Sequence, residues 1–146
     1  KVIEYNCRFG DPEAQAVLPL LRSDLLPILL SCTRGGLSEE LVRWKAGHSC
    51  CVILASDGYP GAFESGYEIT GTKLCREVYM AGVERKEGRL FSSGGRVLGV
   101  VGTGESLPAA IESAYRDVEK VYFKNMRYRR DIGARALRLM GGEDGI

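Results

Sequence analysis

No apolar run in this chain reaches the roughly 20 residues that cross a bilayer. The longest candidate, residues 25–30, is interrupted by Pro27. There is no CxxC pair and His48 is the single histidine, so a structural zinc site has no ligand set here. The cysteines are Cys7, Cys32, Cys50, Cys51 and Cys75, an odd count at irregular spacing. That is a poor disulfide framework; it points to a reducing, cytoplasmic setting with each thiol acting as a small buried apolar residue. Neither sign of charge is in excess: 20 Lys+Arg against 19 Asp+Glu leaves a net charge of +1. A nucleic-acid binder carries a basic footprint, and none is present. There is no Ser–His or Cys–His pattern of a nucleophilic triad, no internal repeat and no low-complexity tract. No leader peptide is expected, and a start at Lys1 directly in a β-type alternation is what a C-terminal piece of a larger protein is expected to show.

What is present is globular composition, with 45% apolar and 27% charged residues in 146, enough for one domain or one domain plus a fragment. Ile3, Tyr5 and Cys7 alternate with Glu4, Asn6 and Arg8, which predicts a strand over residues 1–8. Asp11 is placed to cap a helix with Pro12 in its first position and Glu13 in its first turn, running to residue 18 ahead of Pro19. Ser23 and Asp24 offer a second start, and Gly35-Gly36 a stop. Both helices are apolar enough to need a partner surface, part of it expected upstream. Beyond a boundary near residues 37–45, strands are expected at 50–55, 77–81, 89–91 and 96–101, with Gly94-Gly95 as a hairpin turn. Ser106 leads into the clearest helix, where Leu107, Ile111, Ala114, Val118, Val121 and Tyr122 recur at helical spacing. Asp131 is a possible cap for a short helix at 134–140. The order predicts an α+β fold.

Several stretches can carry chemistry. On a strand, Glu4 and Asn6 share one face, and their oxygens are hard ligands suited to Mg²⁺ or Mn²⁺. Arg8 lies one step further, placed to stabilise charge on a transferring group. From spacing alone a plainer reading carries more weight: a solvated edge face on which Glu4 pairs with Arg8. The 10–13 turn is either a helix start or part of an anion site, and the two are compatible. Gly99, Gly102 and Gly104 miss the spacing of a nucleotide loop and read as a tight strand-to-helix connection. Arg127, Arg129 and Arg130 are enough for one phosphate, or are a solvated basic tail with Asp131 as local partner.

Taken together, KVIEYNCRFGDPEAQAVLPLL, SDLLPILL, DGYPG, GGRVLGVVGTGESLPAAIESAY and YRRDIGARAL resemble, in that order, the phosphoribosylamine–glycine ligase family of the ATP-grasp superfamily. The resemblance runs over residues 1–137. It implies the end of an ATP-grasp module, one strand plus two helices at 1–40, followed by a small mixed C-terminal domain at 41–146 with antiparallel strands and one long helix. It also implies ATP-dependent ligation of glycine to 5-phosphoribosylamine through a glycyl phosphate, a step of purine biosynthesis. By the family pattern Glu4 and Asn6 hold Mg²⁺ or Mn²⁺ and Arg8 stabilises the acyl phosphate. Asp11, Pro12 and Glu13 adjoin the substrate pocket, and Arg129 or Arg130 meets the ribose phosphate.

The chain departs from the family in lacking an N-terminal domain and most of the ATP-grasp module, so it is expected to be inactive alone. The implied partners are ATP, glycine, 5-phosphoribosylamine and those upstream domains of the same protein, with no nucleic acid and no membrane. Two alternatives stay open at this point: another ATP-grasp enzyme of the carboxylase type, and a non-catalytic docking module.

Overall fold

The structure, a computed structural model, describes residues 1–3, 5 and 7–141. Helices α1 (Glu13–Val17) and α2 (Leu25–Thr33) come first, separated by a 3-10 turn at Leu18–Leu20. Pro19 has no N–H to donate, and the α-helix gives way at that point. Seven strands follow among the described residues: β1 (His48–Ser56), β2 (Glu68–Ile69), β3 (Val78–Met80), β4 (Val83–Lys86), β5 (Arg89–Ser92), β6 (Arg96–Gly104) and β7 (Met126–Arg127). Helix α3 (Leu107–Val118) lies between β6 and β7, and α4 (Ala134–Gly141) closes the described chain. This is the expected α+β class, with antiparallel strands and one long helix.

The strands form two antiparallel sheets, one in the order β3-β6-β1-β7 and one in the order β2-β5-β4. β1 alternates buried and half-buried residues along its length. Its even-numbered residues Val52 and Leu54 join Val97, Leu98 and Val100 of β6 under Ala110, Ala114 and Val118 of α3. The odd-numbered side chains turn to the opposite face, which is therefore free to build a site. The α3 helix is held close by Gly102: a Cβ there would stand 2.2 Å from the Ala114 nitrogen and 2.4 Å from the Ala110 oxygen. The glycine pattern expected to be a tight connection is thus the last part of β6 itself, kept bare so that a helix backbone can lie on it.

Local signals explain the helix ends. The Asp24 carboxylate accepts the Leu26 N–H, and the Ser106 hydroxyl accepts the Ala109 N–H, each satisfying an otherwise orphaned donor. Helix α2 stops in a Schellman motif: the Gly36 N–H reaches the Ser31 oxygen and the Gly35 N–H the Cys32 oxygen, with Gly35 at φ +65°.

Some expectations are corrected. No strand forms among the described residues of 1–9, and Glu4 and Asn6 of that expected strand lie outside the described residues. The α1 helix begins at Glu13, and Pro12 is its N-cap without a side-chain bond. The carboxylate of Asp11 is engaged instead by Gln15 and Arg96. Gly94-Gly95 is not a hairpin turn: β5 and β6 belong to different sheets, and the glycines carry the chain between them. α3 ends at Val118; Val121 is buried beyond it, whereas Tyr122 is 64% exposed. Asp131 does not cap α4 through its side chain, which is taken by Arg129. Cys50 is buried as expected, but Cys7 and Cys32 are exposed. The apolar face of α2 also finds little cover, leaving Leu26, Leu29 and Leu30 exposed. No helix of the described residues is long and apolar enough to cross a membrane.

Candidate functional site

The face of the four-stranded sheet opposite α3 carries a cleft of about 480 Å³. Its floor is apolar, made by Cys51, Ile53 and Ala55 of β1 with Ile132. Its rim is basic and aromatic: Arg96, Arg127 and Arg129, with Tyr59 and Tyr128. Pro12 closes one side. The composition suits a ligand with an anionic end and an apolar or sugar-like body.

Each part of the rim is positioned by the fold. β7 pairs Arg127 with Ala55, which brings the tail alongside the floor. Tyr115 of α3 then holds the next turn of chain: its hydroxyl donates to the Arg129 oxygen at 2.8 Å and accepts the Ile132 N–H at 3.1 Å. Tyr59 comes from the 57–61 turn, whose Asp57 N–H donates to the Asn125 oxygen at 2.9 Å.

Each arginine of the rim has its own carboxylate. Arg127 pairs with Asp57 at 3.0 Å, and Arg129 donates to both oxygens of Asp131 at 2.9 and 2.7 Å. Arg96 donates to the Asp11 carboxylate at 2.9 Å and to its backbone oxygen at 2.8 Å. The hydrogen bond from Arg127 holds Asp57 below the usual carboxylate range, and that from Arg129 does the same for Asp131. A guanidinium has five donors and a bidentate pair uses two, so the pairing orients these groups without exhausting them. Burial first, then the charges of Cys50, Asp11 and Glu77, push the Cys51 thiol up to about 12, which disfavours its thiolate form.

The cleft brings together three of the residues singled out in the sequence, Pro12, Arg127 and Arg129. Asp11 adjoins it through Arg96 and also lines a neighbouring depression with Gln15 and Tyr79. The Glu13 side chain lies against Gly10. Arg130 stands outside the lining, its guanidinium 5.5 Å from the centre of the Tyr128 ring. Arg8 is exposed, and its guanidinium donates to the Phe9 oxygen at 3.0 Å. Glu4 and Asn6 lie outside the described residues. Among the described residues no group of three or more His, Cys, Asp or Glu could hold a metal ion. Sequence reasoning missed Tyr59, Tyr115 and Arg96. Arg96 follows Gly94-Gly95, which reads as turn chemistry, and only the three-dimensional register reveals where its side chain goes.

Fold and cleft together define an α+β domain with an arginine- and tyrosine-rimmed site on the uncovered face of its sheet. The family described as “Phosphoribosylglycinamide synthetase, C domain” matches residues 49–135, and the chain belongs to that family. It is 50% identical to a phosphoribosylamine–glycine ligase of Synechocystis sp. over 143 residues, 94% of this chain and 34% of that protein. It is 44% identical to the human trifunctional purine biosynthetic protein adenosine-3, covering 94% of this chain and 14% of that protein. Among solved structures it resembles phosphoribosylamine–glycine ligase from Thermotoga maritima, with a TM-score of 0.78 at 42% identity over 90% of this chain and 33% of that one. The chain spans about a third of the length of the single-function ligases it matches.

Proposed function

We propose that this chain serves as the C-terminal part of a phosphoribosylamine–glycine ligase, an ATP-dependent carboxylate–amine ligase of purine biosynthesis working in the cytoplasm. The observation that carries this reading is 50% identity across 94% of the chain with a protein of that name. In this reading the rest of the enzyme, an N-terminal domain and the larger part of an ATP-grasp module, belongs to the same protein and binds ATP.

The reaction has two steps. A carboxylate oxygen of glycine attacks the terminal phosphorus of ATP, releasing ADP and leaving a glycyl phosphate. The amine nitrogen of 5-phosphoribosylamine then attacks the acyl carbon, the bond from that carbon to the phosphate oxygen breaks, and the nitrogen loses a proton. Phosphoryl transfer of this kind asks a protein mainly for positioning and charge neutralisation. Glu4 and Asn6 supply a carboxylate and an amide oxygen, a hard donor pair that fits Mg²⁺ or Mn²⁺. The chemistry a bound ion supplies there is neutralisation of the ATP phosphates. Arg8 stabilises charge on the acyl phosphate, and Asp11, Pro12 and Glu13 border the substrate pocket. Of the two arginines considered for the ribose phosphate, the cleft favours Arg129, since Arg129 lines it and Arg130 does not. Tyr59 and Tyr128 frame the same opening above its apolar floor.

The test uses the complete protein carrying Glu4→Ala or Asn6→Ala, with ADP formation followed across Mg²⁺ and Mn²⁺ concentration. The metal requirement is expected to rise at least about tenfold, in the range seen when metal affinity is weakened. A metal dependence identical to wild type refutes the ligand assignment.

A further inference from the structure

Arg96 enters the cleft by way of an irregularity in the sheet. From His48↔Gly104 to Leu54↔Leu98 the β1–β6 ladder is regular, and then Ala55 pairs with Arg96 instead of Val97. One extra residue is therefore inserted in β6. Directly opposed residues of an antiparallel pair share a face. Without the insertion Arg96 would stand opposite Ser56 and turn toward the buried α3 side; with it, Arg96 shares the face of Ala55, the cleft floor. Val97 and Leu98, side by side at the irregularity, are both fully buried in the core. Bulges re-aim side chains in this way, and they concentrate beside functional sites.

The root of Arg96 is fixed on both flanks. The Arg96 oxygen accepts the Gly82 N–H at 2.9 Å, the Val97 oxygen accepts the Ala81 N–H at 2.9 Å, and the Gly95 oxygen accepts the Ser56 N–H at 2.8 Å. From this base the guanidinium takes Asp11 by two atoms, the backbone oxygen and the carboxylate. Asp11 is 85 residues away in sequence, and its carboxylate is also held by the Gln15 amide at 2.9 Å. The two-point grip fixes the orientation of the peptide as well as its place, which a single ion pair cannot do.

We infer that Arg96 is a positioning residue: the β6 bulge aims it at Asp11 so that the 10–13 turn and the sheet are locked as two walls of one substrate cleft. The inference rests on the ligase reading for the identity of the substrate, but not for the clamp itself. Arg96 acts through the turn. Its removal lets one wall drift, which weakens capture of substrate more than it slows the chemistry.

The experiment compares wild type, Arg96→Ala, Arg96→Lys, Asp11→Ala and the Arg96→Ala/Asp11→Ala double variant in the complete protein. Peptide-level hydrogen exchange reads the clamp, and steady-state kinetics read its consequence. With Arg96→Ala, exchange over residues 10–16 is expected to speed up about tenfold while β1 and α3 keep their protection. The KM for glycine or for 5-phosphoribosylamine is expected to rise on the order of tenfold with kcat within about twofold. Arg96→Lys restores the charge but not the two-point grip, and is expected to recover less than half of the loss. The Arg96→Ala/Asp11→Ala double variant is expected to be no worse than the poorer single one.

Unchanged exchange over residues 10–16 overturns the clamp. Faster exchange with unchanged KM and kcat overturns the positioning role, as do fully additive losses or full rescue by lysine. A wild-type protein without glycine-dependent ADP formation overturns the ligase reading and the substrate part of the inference with it; the exchange data still decide the clamp.

Discussion

Replacing Gly102 by alanine is a sharp test of how the helix sits on the sheet. The new methyl carbon would lie 2.2 Å from the Ala114 nitrogen, 2.4 Å from the Ala110 oxygen and 2.8 Å from the Ala114 Cα. All three are helix backbone, so no side-chain rotation relieves the contact. Restoring ordinary van der Waals distance needs α3 to retreat on the order of 1 Å, and a gap of that size forfeits a quarter to a half of each dispersion contact along the seam. The seam contains Ala110, Ala114 and Val118, each with no exposed surface, so the loss falls on the centre of the core. Overpacking of this kind costs about 1–3 kcal/mol, occasionally more, and the backbone-stiffening gain of Gly→Ala offsets about 0.4–1 kcal/mol. A net destabilisation of about 1–2 kcal/mol is expected. The assay is urea unfolding followed by far-UV circular dichroism. Gly36→Ala serves as control: its nearest neighbour would be the Ser31 hydroxyl at 3.8 Å, and its change should stay within about 0.5 kcal/mol. A Gly102→Ala midpoint indistinguishable from that control refutes the close-approach argument.

Two further outcomes are expected. Asp117 has 2% of its side-chain surface exposed and accepts the Arg76 N–H at 2.8 Å and the Lys120 ammonium. Burial pushes its pKa up, but these partners outweigh burial and hold it below its ordinary value. A depressed carboxylate stabilises the fold above its unfolded pKa and loses that contribution as pH falls through the folded one. Asp117→Asn should therefore lower stability by about 1–2 kcal/mol at pH 7 and flatten the acid limb below about pH 4, read from urea midpoints across pH. Parallel curves for the two proteins would contradict the assignment. Tyr115→Phe removes both hydrogen bonds that hold the tail; it should cost about 1–2 kcal/mol and raise the KM for 5-phosphoribosylamine in the complete protein severalfold. An unchanged KM would mean that the tail needs no such anchor.

What sequence reasoning captured was mostly local. The Asp24 and Ser106 caps, the stop at Gly35-Gly36 and the break at Pro19 all depend on residues within one turn of each other, and all appear as expected. The amphipathic period of α3 was equally legible, because one face meets a sheet along its whole length. What escaped depends on partners distant in sequence. Residues 1–8 have the alternation of a strand, but alternation supplies no neighbour, and those of them that the structure describes join no ladder. Gly94-Gly95 carry turn chemistry, yet whether the next strand returns to the same sheet is decided by the core beneath. The site divides in the same way. Residues of the 10–13 turn and the 127–131 tail stood out by composition, and the cleft brings Pro12 and Arg129 together. Arg96 was invisible because its role follows from a one-residue shift in register against β1.

ADP formation by the complete protein, measured with glycine and 5-phosphoribosylamine supplied together and singly, tests the central claim most directly. The account predicts turnover that requires glycine and reaches its full rate only with both substrates, and no turnover by the 146-residue chain alone. A complete protein that forms no glycine-dependent ADP, or ligation by this chain by itself, would contradict it.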